Sequence, residues 1–213
     1  MKQKIWVLGA LAFIWLVSIA VYPFLPEQMA VHWNAAGEAD GKAGKVFGVF
    51  FVPVLATILA GFLSFLPSLD PLLRAHKEKA AKAMEPLLFG LFLFFAYLHG
   101  LSMVWNLGYF QDYSFLSLLA PAFAVLFWFL AVSLSRVERN FMIGFRTPWT
   151  ISDDEVWKKT HEKAVVVFKF AAVVSLLAII PTDFSIAWIL VPPILGTMGL
   201  VLYSYVEYVR RHP

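Results

Sequence analysis

The sequence predicts an all-α integral membrane protein with six transmembrane helices and both termini in the cytoplasm. Three observations predict it. The 213 residues are 61% hydrophobic and only 15% charged, far from the near-half apolar and quarter-charged balance of soluble domains. Six apolar blocks have the length of roughly 20 residues that a hydrocarbon core about 30 Å thick requires. Fourteen of the seventeen Lys and Arg fall in alternate segments between those blocks, which places the basic side, and both termini with it, in the cytoplasm.

The blocks run 5–25, 46–66, 87–107, 115–134, 164–180 and 186–206. Five of them carry no Asp, Glu, Lys or Arg, as insertion costs of about 2.5 to 3.5 kcal/mol per central charge demand. The fifth is shorter and holds Lys169. The first follows the basic start MKQK, and Ser18-Ile19-Ala20 has the small residues of a cleavage site. Its uncharged run is longer than a signal-peptide core, so it is read as a span. Prolines mark block ends at Pro23, Pro26, Pro67, Pro71, Pro86, Pro121 and Pro181, whereas Pro192 and Pro193 inside the sixth block predict a kink.

A single six-span membrane domain, residues 1–213, accounts for the chain, with an N-terminal portion over residues 1–134 and a C-terminal portion over residues 135–213. Zero cysteines exclude disulfides, thiolate metal sites and cysteine nucleophiles. The net charge of +3 follows membrane topology, so the bilayer is the expected partner and nucleic acid is not. No cofactor is expected, and the oligomeric state is open. An enzyme would need a nucleophile beside a base, or convergent metal ligands, and no such spacing is present.

Between the second and third blocks, LLRAHKEKAAKAM reads as a short amphipathic helix with Leu72, Leu73, Ala80 and Met84 opposed to Arg74, Lys77, Lys79 and Lys82. Such a helix rests on anionic headgroups or docks a regulator. The external loop, 26–45, holds turn residues at Asn34 to Gly37 and at Asp40-Gly41, with Trp33 suited to the interface. That describes a folded lid, while His32, Glu27, Glu38 and Asp40 are alternative metal ligands without tight spacing.

The internal loop reads SRVERNFMIGFRTPWTISDDEVWKKTHEKA. Ser152 as N-cap and Glu155 three residues on form a capping box, predicting a helix from about Asp153. Trp157, His161, Val165 and Lys169 then share one stripe. Residues 140–149 read as an interfacial or re-entrant piece, with Arg146 paired to Asp153, Asp154 or Glu155 or turned toward a partner. Lys169 either snorkels to the surface or serves a function. His99 and Asn106 in the third block either line a polar cavity or bond across helices.

HWNAAGEADGK outside and IGFRTPWTISDDEVW followed by Thr160-His161 inside resemble the SdpI family of bacterial membrane immunity and signalling proteins, with its N-terminal domain of unknown function. The resemblance implies a multi-pass plasma membrane protein that resists a secreted antimicrobial peptide toxin, by binding it and signalling to a cytoplasmic transcriptional repressor. The binding residues it implies are His32, Asn34, Gly37, Asp40, Gly41 and Lys42 outside, and Asn140, Gly144, Arg146, Thr147, Trp149, Thr150, Trp157 and His161 inside. The chain departs from the family at EKAVVVFKF, where a glycine-containing stretch is expected, so Lys169 is particular to this chain. A small-molecule or lipid transporter or flippase is the alternative, drawn from Lys169, His99 and two three-span halves of opposite orientation.

Overall fold

Apolar length and turn chemistry set the architecture, which the computed structural model describes for residues 2–75, 77–180 and 184–212. The described elements are α1 (Lys2–Val21), the strands β1 (Gln28–Trp33) and β2 (Ala39–Gly44), α2 (Lys45–Leu69), α3 (Pro71–Ala75), α4 (Lys77–Asn106), α5 (Phe115–Leu134), α6 (Pro148–Ser152), α7 (Asp154–Ser175) and α8 (Ser185–Arg211). Among the described residues, five helical stretches are long and apolar enough to cross a membrane: Ile5–Phe24, Lys45–Leu66, Glu78–Asn106, Phe115–Leu134 and Ser185–Arg211. With them the chain is a largely helical multi-pass membrane protein. The block at 164–180 forms the second half of α7 and a 3-10 turn, Leu176–Ile179. Charged residues in the first half of α7 keep that helix below the measure the other five meet.

α1, α2 and α4 pack around Ile14, Ala56, Ala60 and Phe92. α5, α7 and α8 share a second core that includes Ala120, Ala131, Ala164, Phe168, Ala171, Ile189 and Leu200. Small residues dominate these seams because lipid tails are as apolar as Leu, so close van der Waals approach drives association within a membrane. A Cβ on Gly90 would lie 2.5 Å from the Phe129 Cβ, and one on Gly196 would lie 2.2 Å from Val167 Cγ1, which shows how near α4 comes to α5 and α8 to α7. His99 of α4 bonds Ser18 of α1 across the seam at 2.7 Å, as the cross-helix reading expected.

Two local expectations change. The external loop is an antiparallel hairpin, with Ala30 opposite Lys42 and Trp33 opposite Ala39. The basic stretch after the second block is not one helix of its own: residues 72–75 belong to the short α3, and from Lys77 it forms the first turns of α4, which runs on through Pro86. Its amphipathy holds, with Ala80, Ala83 and Met84 buried and Lys79 and Lys82 exposed. The side chains of Arg74 and Lys77, and all of Pro181, lie outside the described residues. α8 runs on through Pro192 and Pro193, the positions where the sequence predicts a kink.

Candidate functional site

The predicted residues gather at the two ends of the bundle. At the external end, the Asn34 side-chain oxygen accepts the amides of Ala36 and Glu38, each at 3.0 Å, and so closes the hairpin tip. Gly37 takes φ +82°, and a Cβ there would fall 2.1 Å from Ser114 Oγ. Only glycine fits both the backbone and the contact. The tip is thereby seated on the start of α5, where the Ser114 hydroxyl donates to the Ala36 carbonyl and the Phe115 amide donates to the Gly37 carbonyl. Trp33 stacks on Phe115 with centroids 3.7 Å apart and meets Trp105 edge-on.

A second anchor holds the hairpin from the side. The Asn106 amide group, at the end of α4, accepts the Ala30 amide at 2.7 Å and donates to the Ala30 carbonyl at 3.1 Å. Asn106 does not bridge two spans: it pairs with strand backbone as a neighbouring strand would, and it also lines a polar groove beside the hairpin. His32 Nδ1 lies 2.6 Å from Asp40 Oδ1 on the exposed face. Gly41 sits under His32, where a Cβ would come within 2.8 Å of the histidine Cβ. Lys42 is exposed. Among the described residues no group of three or more His, Asp or Glu is placed to hold a metal ion. A groove of about 610 Å³ runs beside the hairpin, lined by Gln28, Glu38, Lys42, Asn106, Gln111 and Tyr113 among others.

At the other end, the polar loop folds onto α7 and α8. The Asn140 side-chain oxygen accepts the amides of Met142 and Ile143, and its nitrogen donates to the carbonyls of Glu138 and Ile143. Asn140 is 1% exposed, and its amide replaces the regular ladder that this stretch lacks. Gly144 turns the chain at φ +111°, and a Cβ there would lie 2.4 Å from His161 Nε2. This space is needed because His161 Nε2 faces the Phe145 amide at 3.1 Å while Nδ1 faces the Trp157 carbonyl at 2.8 Å. Trp157 stacks on the imidazole and donates its indole N–H to the Val137 carbonyl. Burial pushes the His161 pKa down, with the Trp157 carbonyl opposing it.

Thr147 and Thr150 cap the short α6 reciprocally, and the Thr147 hydroxyl reaches Ser204 of α8 at 3.1 Å. Trp149 meets Tyr205 of α8 edge-on. The capping box expected at Ser152 and Glu155 is thus displaced: Thr147 and Thr150 form it, and Asp153 caps α7 by accepting the amides of Glu155 and Val156. Asp153 wins because α6 still holds Ser152 in helical conformation, leaving Asp153 as the extended residue between the two helices. The Val156 amide, followed by Arg211 and the Glu155 amide, keeps the Asp153 carboxyl below the usual range against the opposing effect of burial. Lys159 is held protonated by Glu207 of α8, to which it is ion-paired.

Arg146 does not form the expected pair with Asp153, Asp154 or Glu155. Its guanidinium is exposed and donates to the Phe141 carbonyl at 2.6 Å, because Arg211 and Arg139 already occupy Asp153 and Asp154. Lys169 also lies apart from this cluster: it is exposed and sits 5.2 Å from the Trp128 ring centroid, so the stripe from Trp157 to Lys169 runs from buried to exposed.

Residues 136–206 match the SdpI/YfhL protein family, and residues 9–57 match DUF1648, a domain of unknown function. The C-terminal third of the chain is thus an SdpI/YfhL-like region. It is 27% identical over 215 residues to the immunity protein SdpI of Bacillus subtilis (strain 168), covering 98% of this chain and 97% of that one. It is also 38% identical over 52 residues to the membrane protein YbgB of the same organism, covering 24% of this chain and 57% of YbgB. No solved structure matches it. The SdpI/YfhL region spans the internal loop with α6, α7 and nearly all of α8, and the Thr147–Ser204 contact joins its beginning to its end.

Asp70 was missed by sequence reasoning, although Asp before Pro71 is a helix-start signal. It is 1% exposed, accepts the Leu72 amide on one oxygen and, on the other, takes the Phe141 amide at 2.7 Å, tying the end of α2 to the SdpI/YfhL region. Ser114 and Ser204 were missed as well. Ser114 is marked locally only as the residue before α5, and the long-range partners of both lie more than 50 positions away.

Proposed function

We propose that this protein is an immunity protein of the bacterial plasma membrane that protects its cell from a secreted antimicrobial peptide. Its end-to-end identity with the immunity protein SdpI carries the reading. In this reading the chain is one six-span domain, with the second half of α7 as the fifth span and both termini in the cytoplasm. The alternation of Lys and Arg supports that topology. It puts the hairpin outside, where a toxin arrives.

The groove beside the hairpin is the proposed toxin site, with Lys42, Glu38 and Asp112 offering charge, Asn34 and Gly37 fixing the tip, and the His32–Asp40 pair and Gly41 on the neighbouring exposed face. Peptide held there presses on the end of α4 through Asn106 and on the start of α5 through Ser114. The same two helices reach the internal cluster, where Ser133 bonds the Ala83 carbonyl and Val137 holds Trp157. Transmission requires that the toxin bind two arrangements of this assembly with different affinity. Exposed Arg146 and the charged groove formed by Glu138, Arg139, Lys158 and Glu162 then present the response to a cytoplasmic repressor.

The test is survival of a sensitive bacterial host expressing the protein, challenged with a panel of secreted toxin peptides. Arg146→Ala at matched membrane level is the control. Protection by the natural chain and its loss in the variant are expected. Equal survival of both would remove the internal loop from the mechanism, and no protection against any peptide would overturn the immunity reading.

A further inference from the structure

An unassigned groove of about 620 Å³ opens between α1, α4 and α5. Its walls are Trp6, Val7, Ala10, Phe89, Phe92 and Phe129 among other apolar side chains. Two charged residues, Glu85 and Arg136, also line it. Both sit at one end. Ser133 of α5 is bonded to Ala83 of α4 and Phe129 packs on Phe89, so these antiparallel helices bring residues 85 and 136 to neighbouring levels on the side of the basic loops. Trp6 meets Phe89 edge-on, which sets α1 alongside.

From Glu85 to Ala96, the groove follows α4 for eleven residues, or about 16 Å at 1.5 Å each. That is close to one leaflet of a hydrocarbon core about 30 Å thick. The volume lies in the range of about 300–1,000 Å³ typical of small-ligand sites. A pocket one leaflet deep, apolar along its length and charged at its mouth, matches a lipid lying parallel to the helices. One cation and one anion at the mouth favour a headgroup carrying both signs. Neither Glu85 nor Arg136 forms an ion pair among the described residues, so both charges are available at headgroup level.

We propose that this groove holds one phosphatidylethanolamine-type lipid, with its phosphate at Arg136, its ammonium at Glu85 and an acyl chain between α1 and α4. Occupancy covers the α1 side chains that face the groove. Trp6 and Phe13 are largely exposed there without it.

The full chain, purified in detergent and stripped of lipid, would be offered equal amounts of palmitoyl-oleoyl phosphatidylethanolamine and the corresponding phosphatidylglycerol, and adducts counted by native mass spectrometry. A single retained ethanolamine lipid is expected, favoured about fivefold or more over the glycerol lipid by the charge match. Arg136→Ala should lower retention of both lipids, and Glu85→Gln should erase the preference between them. Gly9→Phe should abolish the adduct, since a Cβ on Gly9 meets nothing within 4 Å and the ring would fill the groove. Leu93→Trp fills it from the opposite wall and serves if the first variant fails to fold. Equal retention of the two lipids by the natural chain would overturn the headgroup assignment. An undiminished adduct in the groove-filling variant would overturn the site.

Discussion

His161 Nε2 accepts the backbone amide of Phe145 at 3.1 Å across sixteen residues of sequence. With Nδ1 donating to the Trp157 carbonyl at 2.8 Å, both ring nitrogens are used and the imidazole is fixed as the neutral Nδ1–H tautomer. A second proton would turn the acceptor at Nε2 into a donor facing a donor. The internal loop is therefore latched to α7 by an uncharged histidine.

This latch should weaken in mild acid. Burial lowers the folded pKa of His161 from its ordinary 6.5, so the unfolded chain takes up its proton first as the pH falls. The stabilisation is full above 6.5 and is lost as the pH drops from there through the folded value. Thermal unfolding of the purified protein should show this loss, and His161→Gln should flatten the profile in that window. An unchanged slope in the variant would assign the acid sensitivity elsewhere.

Gly144→Ala should loosen the loop by about 1–3 kcal/mol, since it combines a left-handed backbone with a Cβ 2.4 Å from His161 Nε2. Limited proteolysis between Asn140 and Pro148 should speed up while α8 stays protected. Cleavage at the natural rate would show that the turn tolerates a side chain.

Asn106→Ala should free the hairpin from α4. It removes two bonds to Ala30 and leaves that backbone unpaired, a cost of about 1–3 kcal/mol. Cysteine-accessibility labelling at a reporter replacing Ala30, which is 7% exposed, should rise strongly in the variant. Asn106→Asp keeps the acceptor for the Ala30 amide and should retain some of the protection.

Asp153→Ala removes the cap of α7 and the partner of Arg211, and should cost about 1–2 kcal/mol at neutral pH. The folded carboxyl titrates below its ordinary 3.8, so its contribution is present above that value and fades as the pH falls below it. Natural protein and variant should therefore converge in unfolding temperature in strong acid. A constant gap down to pH about 2 would argue against the carboxylate as the cause.

The membrane class, five of the six apolar blocks as helices long enough to span, and the gathering of polar residues into two loops could be read directly from residue order. Charge-free length and the placement of Lys and Arg are properties of single segments, and their energetics against a bilayer hold before any helix meets another. The start of a helix at Asp153 was legible to within one residue for the same reason, though the cap itself was not. Ser152 and Asp153 are both good caps, and the choice between them fell to α6, which Thr147 and Thr150 fold immediately upstream.

Tertiary structure decided what each polar residue does. Asn106 looks like a membrane-buried amide until β1 is placed beside it, and Asp70 looks like a local cap until Phe141 arrives 71 positions later. Arg146 was freed for the surface by Arg139 and Arg211, whose approach to Asp154 and Asp153 depends on how α8 and the loop pack on α7. The sequence alone determined which segments are apolar enough to enter a bilayer, because that free energy sums over residues independently. It left open which buried groups meet, because a hydrogen bond a few ångströms long depends on the relative register of whole helices, and that is set only when the bundle closes.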